Sequence, residues 1–292
     1  MLFLANYLDI ILKRKWWEIL KKLIILIIKF KGLTMLTALI TGASSGIGKA
    51  FAEELAARHT NLVLVSRSAQ TLNEIAKNLQ EQYQIKVDVI VKDLTETNAA
   101  TEVFDITKKK GLTIDLLINN AGIGDYGDFA ESDRERQIKI VQLNILALVD
   151  LTHKFLPFMR QRHTGGIINV SSITSFQPIP YLSVYAASKA FILSFSEALW
   201  AENRPYGVRV LASCPGPIET NFFAEANFPV DLAGSTDKIY SAQEVAQASL
   251  KAWENFQPTL VMGDVKTQIR TSLARLVPRK ILLNMLAKHF KS

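Results

Sequence analysis

The chain has 292 residues, 49% of them hydrophobic and 21% charged, which is typical of a folded globular protein and excludes a disordered one. Its one cysteine, Cys214, excludes an internal disulfide framework, and its four histidines lack the spacing that a metal site needs. The net charge of +7 comes from the ends: residues 1–34 carry +5, residues 265–292 carry +7, and the rest carries −5. The acidic body argues against a nucleic-acid partner, whereas the basic ends suit an anionic surface.

Residues 1–34 form a basic, apolar amino-terminal extension. Its longest apolar run, residues 23–28, is far shorter than the roughly 20 residues that span a bilayer. No small-residue cleavage site follows this run, as a signal peptide would require. Trp16, Trp17 and the interspersed lysines instead predict an amphipathic helix on a membrane surface. Two alternatives stay open: the extension packs on the protein or on a partner subunit, or translation begins at Met35.

A glycine-rich turn follows the first predicted strand, residues 36–40. Its glycines lie between this strand and a helical pattern over residues 49–58. In such a strand–turn–helix unit, Gly42 permits a tight turn, Gly46 a close backbone approach to phosphate, and Gly48 close packing of helix on strand. The sequence therefore predicts a dinucleotide-phosphate site, although an isolated glycine turn is also typical of a purely structural role.

The second predicted strand, residues 61–65, ends at Ser66 and Arg67. In nicotinamide-binding folds an acidic residue here holds the adenosine ribose, whereas a basic residue meets the 2′-phosphate of NADP. Because the chain has an arginine and no acid at this point, NADP(H) is favoured over NAD(H). The alternative is an arginine that is simply solvated in a loop.

Strands and helices alternate through the rest of the body. This alternation requires crossover connections and predicts an α/β fold: a doubly wound parallel sheet of about seven strands with helices on both faces. Without repeats or low-complexity linkers, residues 35–262 are expected to form one domain. Asp93 and residues 119–122 follow strands at the carboxyl edge, where a cofactor would meet them. The remaining strands are predicted at residues 87–91, 114–118, 166–170, 207–212 and 258–262, and helices at 70–82, 99–109, 134–159 (interrupted near Pro157) and 242–255.

Tyr185 and Lys189 are four residues apart in a further helical pattern, so they lie on neighbouring turns of one face. An ammonium roughly 5 Å from a phenol, at an effective dielectric of ~20, favours phenolate by ~3 kcal/mol. That would make Tyr185 a usable general acid or base. Ser172 precedes the pair by thirteen residues, and Asn144 lies among apolar neighbours in a helix. A buried asparagine needs partners, so Asn144 is predicted either to brace the fold or to hold a water.

In this order, the glycine turn, residues 119–122, Asn144, Ser172, the Tyr185/Lys189 pair and Pro215-Gly216 resemble the short-chain dehydrogenase/reductase family of the single-domain Rossmann type. The resemblance covers about residues 35–262. It implies hydride transfer between NADP(H) and a carbonyl/alcohol pair, with Tyr185 as general acid/base, Lys189 lowering its pKa, Ser172 holding the substrate oxygen and Asn144 holding a water. It also implies cofactor contacts from Tyr185, Lys189, Asn119 and from Thr41, Gly42, Ser44, Ser45, Gly46, Ile47, Gly48, Ser66, Arg67, Asp93, Leu94, Asn120, Ala121, Gly122, Pro215, Gly216, Ile218 and Thr220.

The segment over residues 221–238 resembles the family's substrate lid and is rich in phenylalanine, which favours a lipophilic carbonyl or alcohol. Residues 263–292 form a basic amphipathic tail that either meets a membrane surface or packs on the domain. We expect a cytoplasmic homo-oligomer with peripheral contact to the inner face of a membrane through residues 1–34 and 265–292. The alternatives are an NAD-linked alcohol dehydrogenase and a non-catalytic nucleotide-binding regulator or scaffold.

Overall fold

Seven parallel strands form the centre of the protein, in the order β3-β2-β1-β4-β5-β6-β7. The structure is a computed structural model that describes residues 36–218, 222–229, 239–263 and 277–290. Every neighbouring pair is parallel, as crossover connections require. The strands are β1 Thr37–Thr41, β2 Asn61–Ser66, β3 Val87–Val91, β4 Leu116–Asn119, β5 Gly166–Val170, β6 Arg209–Cys214 and β7 Thr259–Val261.

Helices connect the strands and cover both faces of the sheet. Asp133 caps the start of helix α4, because its carboxylate accepts a hydrogen bond from the Glu135 amide, and α8 starts with a capping box between Ser241 and Glu244. The helices are α1 Gly46–Ala57, α2 Ala69–Tyr83, α3 Ala99–Lys109, α4 Arg134–Val141, α5 Leu148–Arg162, α6 Ser183–Asn203, α7 Phe222–Glu225, α8 Ala242–Glu254 and α9 Arg279–His289.

The hydrophobic core has two layers, one on each face of the sheet. Alternate strand residues point to opposite layers: Ile40 and Ile118 to one, Leu39 and Leu117 to the other. Helices α1, α2 and α8 pack on the first layer, and α3, α5 and α6 on the second. Because both faces are covered, the central strands read as continuous apolar runs. The predicted doubly wound sheet of seven strands is confirmed.

The strand order reverses between β1 and β4, which are neighbours in the sheet although two strands separate them in sequence. Crossovers from these two strands run to opposite sides, so their carboxyl ends diverge and leave a crevice. Most of the predicted site residues follow β1, β2, β3, β4, β5 or β6 directly. The topology therefore brings residues from six strand ends to one edge of the sheet.

Two details of the predicted elements are wrong. Pro157 does not interrupt the long helix; it lies inside α5, where Phe155 and Met159 on the neighbouring turns are buried in the core. The irregularity is instead a π-helical segment, Gln142–Ala147, between α4 and α5. Strand β6 begins at Arg209 and not at residue 207, because Gly207 has a φ of +67° and forms a turn.

The structure describes only part of the two basic ends of the chain. Residues 1–34, with the predicted amino-terminal helix, lie outside the described residues, as do residues 264–276. Within the tail, α9 forms a helix that Pro278 precedes. Among the helices of the described ranges, none is long and apolar enough to cross a membrane.

Candidate active site

A cavity of about 1300 Å³ opens at the carboxyl ends of the strands. Pockets for small ligands usually measure about 300–1,000 Å³, so this one has room for a dinucleotide together with a substrate. The dinucleotide cleft is the part lined by the turns after β1 to β4. The apolar chamber is the part lined by Ile179, Leu182, Phe222, Phe228, Leu282, Leu286 and Phe290.

The glycine turn after β1 is packed too closely for side chains. Gly42 has a φ of +65°, and a Cβ atom there would lie 2.9 Å from Asn120 Nδ2. A Cβ at Gly48 would lie 2.2 Å from the Gly42 carbonyl oxygen, which no real contact allows. Helix α1 begins at Gly46, and its cap residue Ser45 makes no side-chain cap hydrogen bond. The first amides of α1 therefore face the cleft, where an anionic phosphate suits them.

Thr41, Gly48 and Asn119 are not part of the cavity lining. The Thr41 hydroxyl accepts hydrogen bonds from the amides of Asn120 and Ala121, each at 3.0 Å, and so joins the end of β1 to the turn after β4. The Asn119 amide donates to two buried side chains behind the cleft, Thr152 and Asn169. Geometrically these residues shape the cleft from behind, whereas the sequence predicted cofactor contacts for them.

Most of the other predicted cofactor residues line the cavity. The exception is Thr220, which lies outside the described residues. The lining includes Gly42, Ser44, Ser45, Gly46, Ile47, Ser66, Arg67, Asp93, Leu94, Asn120, Ala121, Gly122, Pro215, Gly216 and Ile218.

Arg67 and Asp93 face each other at the far end of the dinucleotide cleft. An Arg67 guanidinium nitrogen lies 3.9 Å from a carboxylate oxygen of Asp93, and the Arg67 side chain is 73% exposed. Burial raises the pKa of Asp93, but hydrogen bonds from Thr95 and the charge of Arg67 outweigh it and lower the pKa overall. The arginine is thus loosely held, and its charge remains accessible to a phosphate group from solvent.

Tyr185 and Lys189 project from α6 and are buried, with 8% and 5% of their surfaces exposed. The Tyr185 phenol is hydrogen-bonded to Ser172, the second residue after the end of β5. The Lys189 ammonium donates to the Val170 carbonyl oxygen at 2.9 Å and lies 5.6 Å from the centre of the Tyr185 ring. The fold therefore brings three of the four predicted catalytic side chains into one buried cluster.

The electrostatics of this cluster differ from the expectation. Burial raises the pKa of Tyr185 to about 12, and the hydrogen bond with Ser172 offsets only part of that rise. Burial also lowers the pKa of Lys189 to about 8. Both shifts have one cause, since a buried site penalises phenolate and ammonium alike. The predicted lowering of the Tyr185 pKa by Lys189 is therefore not found, and the phenol stays protonated near neutral pH.

Asn144, the fourth predicted catalytic residue, lies in the π-helical segment and is 1% exposed. Its amide group donates to the Ile123 carbonyl and to the Ser188 hydroxyl, both at 3.0 Å, while its carbonyl oxygen accepts from the Ile123 amide at 3.0 Å. Ser188 in turn donates to the Tyr185 carbonyl at 2.7 Å. Asn144 therefore braces the turn after Gly122 against α6. Both of its amide hydrogens are used, so any water it holds must donate to an oxygen of Asn144.

The sequence did not identify the residues that α9 adds to the cavity. Leu282, Met285, Leu286, His289 and Phe290 line it, although they are more than ninety residues away from Tyr185 in sequence. The apolar spacing of the tail predicted an amphipathic helix that either meets a membrane surface or packs on the domain, because periodicity alone does not say which surface the apolar face covers. Arg136 was also missed; it donates to the carbonyls of Gly124 and Glu225 and holds the two sides of the chamber together.

Comparisons with known proteins agree with this site. The short chain dehydrogenase family profile matches residues 36–229. A very-long-chain 3-oxoacyl-CoA reductase from Anas platyrhynchos is 38% identical over 63% of this chain, but the match spans only 60% of that protein. An uncharacterized oxidoreductase from Staphylococcus saprophyticus is 34% identical over 77% of this chain and 92% of its own length.

A solved structure shares the fold over most of the chain. A short-chain dehydrogenase from Sphingobium yanoikuyae in complex with NADPH superposes with a TM-score of 0.75 at 30% identity, over 85% of this chain and 95% of that one. The family match agrees with two features of the structure: the parallel sheet with its glycine turn, and the buried cluster of Ser172, Tyr185 and Lys189. The protein belongs to the short-chain dehydrogenase/reductase family and is an NAD(P)-dependent oxidoreductase.

Proposed function

We propose that the protein reduces the carbonyl group of a long-chain lipophilic substrate, of the 3-oxoacyl thioester class, with NADP(H) as its cofactor. One observation carries the proposal: the buried cluster of Ser172, Tyr185 and Lys189 lies where the dinucleotide cleft meets the apolar chamber. A carbonyl carbon at that junction has the cofactor on one side and apolar walls for its chain on the other.

The residues of the cleft fit NADP(H). Gly42 and Gly46 line the cleft, where a pyrophosphate can come close to the backbone, and Arg67 offers an accessible positive charge for the 2′-phosphate. The Sphingobium relative holds NADPH, which supports the same choice here. When bound, the nicotinamide supplies the hydride, and the protein supplies placement and a proton.

Tyr185 is suited to donate that proton. With a pKa of about 12, its phenol is protonated at neutral pH and can give its hydrogen to a carbonyl oxygen that is gaining negative charge. Ser172 offers a second hydroxyl to the same oxygen and stabilises the charge. Lys189, with a pKa of about 8, titrates close to neutral pH and can resupply protons to the buried cluster. At neutral pH the phenol therefore carries the proton that carbonyl reduction consumes.

The chamber favours a lipophilic chain. Ile179 and Leu182 form one side, and Phe222 and Phe228 form the other, with the Phe222 ring 5.3 Å from that of Tyr185. Such walls gain roughly 25 cal/mol for each Å² of apolar surface they bury, and they offer little to a sugar. The name of the Anas platyrhynchos relative, a very-long-chain 3-oxoacyl-CoA reductase, supports a long acyl chain.

Tyr185→Phe tests the function directly. The variant keeps the ring packing and should bind NADPH with unchanged affinity, while turnover of a 3-oxoacyl thioester falls about 10²- to 10⁴-fold because the proton donor is lost. Binding is measured by fluorescence titration and turnover by NADPH oxidation. Tyr206→Phe is the matched control, since Tyr206 lies outside the cavity against His163. Near-normal turnover in Tyr185→Phe would contradict the assignment.

We also propose that the tail contacts an anionic membrane surface. Arg279, Lys280 and Lys288 are exposed on α9, and Ile281 and Met285 leave 55% and 62% of their surfaces exposed beside them. Basic residues near such a surface are worth about 1 kcal/mol each. The fraction of protein that sediments with phosphatidylserine vesicles should therefore fall strongly in a variant with glutamine at the three basic positions. Equal sedimentation of the two proteins would contradict the proposal.

A further inference from the structure

We propose that α9 is a wall of the apolar chamber that Tyr126 latches in place, and that this latch sets the preference for long substrate chains. The inference rests on the proposed function and deepens it. It concerns Tyr126, a residue outside the buried catalytic cluster, and the carbonyl of Phe290 at the end of α9.

Few residues of helix α9 are buried against the rest of the domain. Leu282 is its one buried residue among those described, while Leu286 and Phe290 are half-buried. All three side chains line the cavity, and Phe290 packs in the same apolar cluster as Phe222 and Phe228. A helix with so little buried surface depends on few contacts, and elements of this kind open at a low free-energy cost.

Tyr126 holds the carboxyl-terminal end of this helix. Its phenol donates a hydrogen bond to the Phe290 carbonyl at 2.5 Å. The last carbonyls of a helix have no partner within the helix, so an external donor here fixes the helix end. The Phe290 side chain packs in the same apolar cluster as Tyr185 and Leu182. The bond therefore fixes one end of α9 directly over the chamber.

Tyr126 also joins the other walls. Its amide donates to the Ala226 carbonyl at 2.8 Å, and its ring meets that of Phe228 edge-on, with centres 5.2 Å apart. The neighbouring Gly127 amide donates to the Tyr181 carbonyl at 2.9 Å. Tyr126 and Gly127 together thus link α9, the segment after α7 and the loop before α6. The three walls that enclose a chain are thereby positioned together.

This arrangement separates two parts of the substrate. The carbonyl meets Ser172 and Tyr185, whereas the far part of a long chain would lie under Leu282 and Leu286. A short chain does not reach α9 and gains nothing from its closure. A long chain buries apolar surface against α9, so it binds more tightly when the hydrogen bond from Tyr126 holds α9 in place. Chain-length preference then depends on the Tyr126 hydroxyl.

Tyr126→Phe removes only that hydroxyl and keeps the ring against Phe228. For 3-oxohexadecanoyl-N-acetylcysteamine we expect a KM about 2- to 12-fold higher, the range that one neutral hydrogen bond allows, with kcat unchanged. For the 3-oxobutanoyl thioester both constants should stay the same. Leu286→Ala should show the same pattern, and Leu283→Ala, at an exposed position of α9, should not. An equal change in KM for the long and the short thioester, or no change for either, would overturn the proposed role of Tyr126 in chain-length preference.

Hydrogen exchange of the full-length protein gives a readout that does not depend on turnover. Amides of residues 282–290 should exchange about 2- to 12-fold faster in Tyr126→Phe, and the non-reducible hexadecanoyl thioester should slow them in the wild type. Tyr181→Phe is the control, since its hydroxyl has no hydrogen-bond partner within the described ranges. Unchanged exchange in Tyr126→Phe, or no protection by the long chain, would overturn the latch. If wild-type protein fails to reduce any 3-oxoacyl thioester, the proposed function fails while exchange still decides the role of α9.

Discussion

Replacing Lys189 by methionine is expected to make the protein more stable at neutral pH and much less active. Lys189 is buried, and its pKa falls from 10.5 to about 8. Since a change of one in pKa is worth about 1.4 kcal/mol, holding the ammonium in this site costs about 3 kcal/mol near neutral pH. Methionine has a similar volume and no charge, but it loses the hydrogen bond to the Val170 carbonyl, which is worth about 1 kcal/mol. The variant should therefore gain about 2 kcal/mol.

The sign of the pH dependence follows from the lowered pKa. Between about pH 8 and 10.5 the unfolded chain binds more protons at this residue than the folded protein does, so wild-type stability rises with pH there. The destabilisation of the folded protein by the buried ammonium is fully present below that window and disappears above it. The advantage of Lys189→Met should accordingly shrink from about 2 kcal/mol at about pH 7 to near zero at about pH 9.5.

Urea unfolding of both proteins at the two pH values measures this difference, because other titrating groups cancel between them. Lys189→Arg serves as the comparison, since it keeps a charge that cannot be neutralised. It should be less stable than the wild type at both pH values. A Lys189→Met variant that is less stable by the same amount at both pH values would refute the reasoning, since burial would then carry no penalty for the ammonium.

Three further predictions concern the cleft. Arg67→Gln should raise the KM for NADPH about tenfold or more, in line with one lost charged hydrogen bond or two, and leave the KM for NADH unchanged; an unaltered ratio in steady-state kinetics would contradict a 2′-phosphate contact. Gly48→Ala should destabilise the protein by about 1–3 kcal/mol in urea unfolding and weaken NADPH binding, because its Cβ would lie 2.2 Å from the Gly42 carbonyl. Asn144→Leu should destabilise by about 1–3 kcal/mol for each Ile123 group it leaves unpaired; thermal unfolding that matches the wild type would show that the brace is dispensable.

Much of the fold follows from local patterns. Apolar runs of four to six residues between helical patterns predict buried parallel strands, since only a sheet covered on both faces accepts such runs. The glycine turn is equally local, because the spacing of Gly42, Gly46 and Gly48 expresses a backbone requirement within eight residues. Strand ends were less well predicted: the start of β6 depends on the turn at Gly207, which hydrophobicity does not report.

The candidate site was predictable where chemistry follows short spacings and strand ends. Tyr185 and Lys189 share a helix face, and Ser172 closely follows a strand, so all three were found from sequence. The outcome for Asn144 needed the fold. Its partners Ile123 and Ser188 lie 21 and 44 residues away, and only their contacts show that its amide braces the site.

The sequence by itself determined which groups are present: a glycine turn, a serine, a tyrosine and a lysine, in the order that resembles the short-chain dehydrogenase/reductase family. Tertiary structure alone decided how that chemistry is tuned. The pKa of Tyr185 rises because burial outweighs the hydrogen bond with Ser172, and the degree of burial depends on α6, β5 and Phe222 packing together. The position of α9 over the chamber is likewise a contact between distant parts of the chain, for which no local pattern exists.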